Sequence, residues 1–299
     1  IPLRLVGSEM CIRDRTYTYH IVNVFADNHF GGNPLAVFPS ADGLTDQQMQ
    51  AIAQQFNLSE TVFLFAPTAK HGVQAVANLR IFTPNYEMPL AGHPTLGSAF
   101  VIQQLQNLLN NFVLNTIAKP VEVQVNDSHI ELSLTGFEQR ISVATHEELA
   151  KITGLMADDI ANQAYWMNTG TSQLLLNVLS KQKLYDAKIN KEQLQTICQK
   201  DNELAMLYLW YQDNDDVFVR FFSIENNQIV QDSGTGSACA NLGAYFISQN
   251  QHPIHKRIFQ GDEIGRPNRL MLKVDEKQTI YVGGNVIAVG KGEFYLPDV

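Results

Sequence analysis

The sequence of 299 residues is poor in cysteine, in positive charge and in long apolar runs. Its three cysteines, Cys11, Cys198 and Cys239, are odd in number and far apart, which excludes a disulfide framework and a CxxC metal site. A reducing, cytoplasmic setting is expected. Lys and Arg total 21 against 30 Asp and Glu, for a formal net charge of -9. That balance opposes a nucleic-acid backbone as partner, because phosphate binding needs concentrated basic side chains. It opposes an anionic membrane surface for the same reason. No apolar run approaches the roughly 20 residues of a membrane-spanning helix. The expected partner is therefore a small molecule.

What is present is the composition of an ordinary folded protein, 45% hydrophobic and 17% charged. The length suits two domains of about 100–150 residues each. Residues 1–16 stand apart. They lack the apolar core of a signal peptide and show neither helical nor strand periodicity, so they read as a non-native leader, poorly ordered and outside the fold. The first strand is expected at Tyr17.

Tyr17 to Phe25 is rich in Val, Ile and Tyr, and the turn Phe30-Gly-Gly-Asn-Pro34 leads into a second short strand. Thr45 with Gln48 forms a capping-box pattern, and Met49, Ile52, Ala53 and Phe56 share one helical face. That helix stops near Asn57, placing Glu60 at its junction with the strand Thr61 to Phe65. A strand from about Val73 to Phe82 precedes Ala91-Gly-His-Pro94, where proline suits the first turn of a helix. Leu96, Ala99, Phe100 and Leu105 make that helix buried. Val121–Val125 and Ile130–Leu134 alternate around Asn-Asp-Ser-His as a hairpin.

The second half repeats this plan about 140 residues on. Arg80-Ile-Phe-Thr and Gly97-Ser-Ala are matched by Arg220-Phe-Phe-Ser and Gly236-Ser-Ala, and Asn168-Thr-Gly170 loosely matches the early turn. Two related domains, each with strands around one buried helix, are implied. Their helix N-termini would face one place and offer free N–H groups to a carboxylate.

At this point the strings become specific. Phe30-Gly-Gly-Asn-Pro-Leu-Ala-Val, Asn57-Leu-Ser-Glu-Thr-Val-Phe, Arg80-Ile-Phe-Thr-Pro, Ala91-Gly-His-Pro-Thr-Leu-Gly, Asp232-Ser-Gly-Thr-Gly-Ser-Ala and Val282-Gly-Gly-Asn-Val occur in order. The succession resembles the PhzF family of phenazine-biosynthesis isomerases from Tyr17 to the C-terminus. The resemblance implies an α+β, diaminopimelate-epimerase-like fold of two pseudo-symmetric domains, each with strands wrapped around a central helix. The domains would be 17–135 completed by about 283–299, and 136–282. It also implies a homodimer, no metal or other cofactor, and proton transfer by a glutamate on a small carboxylic acid. The matching positions are Glu60, His93 and Asp232 as catalytic residues, with Gly92, Gly236 and Ser237 binding substrate. Ser233-Gly234 stand where the family commonly has a proline, and Leu90 where it commonly has a phenylalanine. Both border the expected cleft and bear on the substrate rather than the chemistry.

Each of these residues has a plainer reading. Glu60 could be a surface carboxylate, yet a helix–strand junction can desolvate it and raise its pKa. His93 could cap its helix, or orient substrate and assist proton movement. Asp232 could be an N-cap, or hold a substrate amino or hydroxyl group. Gly236 and Ser237 could serve close helix packing. Gly234-Thr-Gly236 lacks the third glycine of a dinucleotide loop. His252 and His255 have metal-like spacing but no further ligand, and read as solvated. A cysteine-pair racemase of the same fold is disfavoured, because neither turn holds a cysteine. A hydrolase lacks a nucleophile elbow. A non-catalytic small-acid binding module remains the alternative.

Overall fold

The computed structural model describes residues 15–68, 74–108, 111–161 and 163–297. Residues 1–14 of the expected leader, and Val73, lie outside them. Strand β1 (Arg15–Val24) begins two residues before Tyr17, because Arg15 and Thr16 pair with Leu296 and Tyr295 near the other end of the chain. That long-range pairing has no local signature, so reading residues 15 and 16 as leader is corrected.

β1 forms an antiparallel hairpin with β2 (Asn33–Phe38). Helix α1 (Asp46–Phe56) carries the Thr45–Gln48 capping box and buries Met49, Ile52 and Ala53. It leads to β3 (Glu60–Phe65), parallel to β2. β4 (Ala77–Phe82) runs antiparallel to β3 and is flanked by the short β5 (Glu87–Met88). After α2 (Gly92–Gln106), β6 (Phe112–Asn115) lies parallel to β4. β7 (Pro120–Asn126) and β8 (His129–Leu134) then form the expected hairpin.

Beyond β9 (Glu138–Ile141) and α3 (His146–Thr153) the plan repeats. β10 (Tyr165–Asn168) and β11 (Ser172–Asn177) make the hairpin, and α4 (Lys181–Asp186) and α5 (Lys191–Lys200) take the place of α1. β12 (Met206–Asp213), β13 (Asp216–Glu225) and β14 (Gln228–Asp232) follow. After α6 (Gly236–Ser248) come β15 (Ile254–Gln260), β16 (Asn268–Val274) and β17 (Ile280–Leu296), repeating the order of β6 to β8.

The register shows how the halves join. β8 and β17 are antiparallel, with Ile130 opposite Gly284, Leu132 opposite Val282 and Leu134 opposite Ile280. An offset of 150 carries Ile130 to Ile280 and Leu134 to Gly284, so these pairs exchange as a two-fold axis through Leu132 and Val282 would demand. β17 then runs on to pair with β1, while β9 pairs with β10. The repeated Arg-x-Phe string also has a physical reason. The Arg80 guanidinium lies 5.2 Å from the Phe82 ring and that of Arg220 4.8 Å from the Phe222 ring, the same cation–π contact in both halves.

α2 and α6 are apolar all round because each is wrapped by strands of its own half, and both are buried over most of their length. Leu105 departs from the expected burial: it is exposed on the last turn of α2. The equivalence of Gly97 with Gly236 is also corrected. Gly97 is a mid-helix packing glycine, where a Cβ would stand 2.5 Å from Leu35 Cδ2 and 3.0 Å from Val24 Cγ2. Its counterpart is Gly243, pressed on Ile280 and Leu272, whereas Gly236 opens its helix as Gly92 does. Gly97→Ala should therefore destabilise the fold by about 1–3 kcal/mol through overpacking, despite alanine's better helix propensity. A urea midpoint at or above the wild-type value would contradict this.

Candidate active site

The end of α1 sets Glu60. Asn57 closes the helix in the left-handed region at φ 49°, and the chain turns directly into β3, whose first residue is Glu60. Its side chain is 14% exposed, and Oε2 lies 3.3 Å from His93 Nε2. His93 is the second residue of α2 and is itself buried. The two atoms face each other without the alignment of a hydrogen bond, and among the described residues neither has another hydrogen-bond partner. Burial, followed by the charges of Asp232 and Glu225, pushes the Glu60 carboxyl up to about 8. Burial alone takes the His93 imidazole down to about 3. Near neutrality the pair is thus a protonated acid beside a neutral imidazole, and not an ion pair.

Asp232 reaches the same region from the other half. It ends β14, and its carboxylate accepts the Thr235 hydroxyl at 2.6 Å and Asn33 Nδ2 at 3.1 Å. Asn33 Nδ2 also donates to the Gly234 carbonyl at 3.0 Å. The early Gly-Gly-Asn turn is thereby docked on the second turn. Gly32 sits at φ +80°, where a Cβ would be 2.7 Å from the Val24 carbonyl oxygen, so this close approach requires glycine. Burial pushes Asp232 up, with these hydrogen bonds acting against it. Asp232 is not the N-cap of α6, a position held by Thr235.

Neither Ala91 nor Thr235, the N-caps of α2 and α6, makes a side-chain capping bond. The first-turn N–H groups of both helices therefore lack intrahelical acceptors and side-chain caps. The two termini also abut: a Cβ on Gly236 would stand 3.9 Å from the His93 backbone nitrogen. Beside them lies a cavity of about 340 Å³ walled by Gly92, Gly236 and Ser237, by the Thr169–Thr171 loop, and by Leu90, Leu96, Leu132, Leu134 and Val282. A Cβ on Gly92 would meet nothing within 4 Å. The volume falls in the usual range for small-molecule sites.

All six residues singled out from the sequence thus gather at the junction of the halves, in two groups. Gly92, Gly236 and Ser237 are on the cavity wall. Glu60, His93 and Asp232 do not line it and adjoin it through the turns that carry Gly92 and Gly236. Three further groups escaped the sequence reading. Glu225, at the end of β13, raises Glu60 from the opposite half. Gln173 and Asn241 are buried amides, and Gln173 Nε2 donates to Ser237 Oγ at 3.0 Å. Asn241 is a lone polar residue inside the apolar run Ala-Cys-Ala-Asn-Leu-Gly-Ala, whereas Gln173 stands at the edge of one, in Ser-Gln-Leu-Leu-Leu.

Cys239 lies inside α6 in the core, and burial pushes its thiol far up. Cys198 is buried in the outer α/β layer, its thiol pushed up to about 12. Neither is on the cavity wall. Among the described residues no cluster of three or more His, Cys, Asp or Glu is arranged to hold a metal, and no helix is long and apolar enough to cross a membrane.

Comparison with known proteins gives this arrangement a family. The model of the phenazine biosynthesis-like proteins matches residues 22–292. An uncharacterized isomerase of Pasteurella multocida is 49% identical over 94% of this chain and 95% of its own. The trans-2,3-dihydro-3-hydroxyanthranilate isomerase of Pseudomonas fluorescens is 31% identical over 94% of this chain and 100% of its own. A solved PhzF-family structure from Bacillus anthracis superposes with a TM-score of 0.82 at 24% identity, covering 94% of this chain and 100% of that one. With the two pseudo-symmetric, diaminopimelate-epimerase-like halves already described, these likenesses make the chain a member of the phenazine biosynthesis-like family and an isomerase of the PhzF type.

Proposed function

We propose that this isomerase moves a proton between carbons of a small cyclic, amino or hydroxy carboxylic acid, with Glu60 as the proton carrier and no bound cofactor. The observation that carries the reading is the buried Glu60 carboxyl, pushed up to about 8 and held 3.3 Å from a neutral imidazole beside two uncapped helix N-termini. A carboxylate with a pKa near 8 is a far stronger base than an ordinary one, and about a tenth of it is ionised at pH 7.

The substrate carboxylate sits against the first turns of α2 and α6 and accepts from Ser237. Ionised Glu60 then takes a proton from carbon: the C–H bond breaks and its electron pair enters the conjugated system. The protonated Glu60 delivers a proton to another carbon of that system, so in ordinary water mass and charge are unchanged. His93 orients the carboxyl, and Asp232 holds an amino or hydroxyl group on the substrate. The leucine-rich wall of the cavity suits a substrate with an apolar body.

The test is turnover. EDTA-dialysed protein is incubated with trans-2,3-dihydro-3-hydroxyanthranilate, the acid named for the Pseudomonas fluorescens relative, and with a panel of cyclic and linear amino and hydroxy acids. At least one acid is expected to give a product of unchanged mass. Iodoacetamide treatment of the Cys11→Ser variant is expected to leave this turnover in place, because the other two cysteines, Cys198 and Cys239, are buried away from the cavity. Loss on alkylation would point to thiol chemistry, and dependence on added metal would contradict cofactor independence.

A further inference from the structure

The cavity wall carries a chain of buried amides behind Ser237. Gln173 and Asn241 are 1% and 0% exposed. Asn241 Oδ1 accepts the Thr169 backbone N–H at 2.9 Å and the Thr169 hydroxyl at 2.8 Å. Asn241 Nδ2 donates to the Thr171 carbonyl at 2.9 Å and to Gln173 Oε1 at 2.8 Å. Gln173 Nε2 donates to Ser237 Oγ at 3.0 Å.

The direction of these bonds is not a free choice. An amide side chain can be turned about its last bond, but a backbone N–H only donates and a backbone carbonyl only accepts. Thr169 N–H and Thr171 C=O therefore fix which way Asn241 faces. Asn241 then offers Gln173 a donor, so Gln173 must turn its oxygen to Asn241 and its nitrogen to Ser237. Ser237 accepts that bond with a lone pair. Among the described residues its own proton has no acceptor, and Ser237 lies on the cavity wall. With one lone pair taken by Gln173, a proton and one lone pair are left to face the cavity, and of these an oxyanion can take only the proton.

We propose that Gln173 and Asn241 are positioning residues that hold Ser237 as a donor to a substrate oxyanion, favouring a carboxylate over a carboxamide at the site. The inference rests on the reading of the paired helix N-termini as a carboxylate site. The same relay ties the Thr169–Thr171 loop to α6, so two segments of the wall share one hydrogen-bond chain.

The probes are anthranilate and its neutral amide, anthranilamide, titrated calorimetrically against wild type, Ser237→Ala, Gln173→Met, Gln173→Glu and the Ser237→Ala/Gln173→Met double variant, each checked by thermal melting. Wild type is expected to prefer the acid. Ser237→Ala should lower the acid-to-amide affinity ratio by at least about tenfold, as loss of a hydrogen bond to a charged group does. Gln173→Met keeps the length and removes the donor; it should lower the ratio about three- to tenfold. The double variant should lose no more than Ser237→Ala alone. Gln173→Glu presents only acceptors, turns the serine proton away from the cavity, and should lower the ratio furthest. Damage to structure alone weakens both probes alike and leaves their ratio unchanged. A ratio that falls in Ser237→Ala but holds in both Gln173 variants overturns the relay and leaves the carboxylate site standing. If wild type binds neither probe or shows no preference, or if Ser237→Ala leaves the ratio intact, the carboxylate site and the relay fall together.

Discussion

Glu60→Gln is expected to lower turnover of any acid the enzyme isomerises by about 10²–10⁴, the usual contribution of a positioned general acid–base group. Binding of the same acid should change little. Glutamine has the shape of the protonated glutamic acid that predominates near neutrality, so packing against His93 is kept and only the transferable proton is lost. Glu60→Asp retains a carboxyl but draws it back by one methylene from a contact now at 3.3 Å. It should fall between the two, because proton transfer depends on hydrogen-bond reach before pKa. Single-turnover rates with direct binding measurements separate these outcomes. Equal loss of binding and rate in Glu60→Gln would instead make Glu60 a binding group.

The same substitution should stabilise the protein, increasingly so as pH rises. The Glu60 carboxyl is raised from 4.5 to about 8 in the fold. Between those values the folded protein holds a proton that the unfolded chain has released, so stability contributed by this group is lost as pH rises through the window. The slope is at most about 1.4 kcal/mol per pH unit, and across the window it accumulates to roughly 5 kcal/mol. Below the window the acid is neutral in both states, and glutamine is nearly equivalent to it. His93 acts in the opposite sense. Its imidazole is lowered from 6.5 to about 3, so stability from that group is lost as pH falls through its own range. That contribution is present in both proteins and largely cancels in the difference. The denaturation midpoint of Glu60→Gln should thus match wild type near pH 4.5 and exceed it clearly by pH 8. A difference that stays flat with pH would mean that Glu60 is ionised in the fold. The penalty borne by wild type is that of keeping a reactive carboxyl buried, with the charges of Asp232 and Glu225 adding to it.

Much of this was legible because it is local. The Thr45–Gln48 capping box, the turn after Asn126 and, Leu105 apart, the burial of α2 and α6 follow from neighbouring residues, and they are seen as read. The repeat was visible in Arg80-Ile-Phe and Arg220-Phe-Phe because each arginine stacks on the aromatic two positions on, a constraint written in three letters. The spacing of the halves drifts, however, from 140 between those arginines to 150 between β8 and β17. A fixed offset therefore set Gly97 against the wrong glycine. What the sequence could not display is contact across the chain. Asn33 meets Asp232 from nearly 200 positions away, and Arg15 is a strand residue only because Leu296 is beside it. Gln173 and Asn241 passed unmarked, since a polar residue beside or within an apolar run is informative only once its partners are known.

The most direct measurement is solvent deuterium uptake. Wild type and Glu60→Gln are incubated in heavy water with the acid panel, and the recovered acids are weighed by mass spectrometry. Glu60 carries the substrate's proton and can exchange it with solvent before returning it. Deuterium should therefore enter at least one acid with wild type and remain at background with Glu60→Gln. Equal uptake with both proteins would show that another group moves the proton.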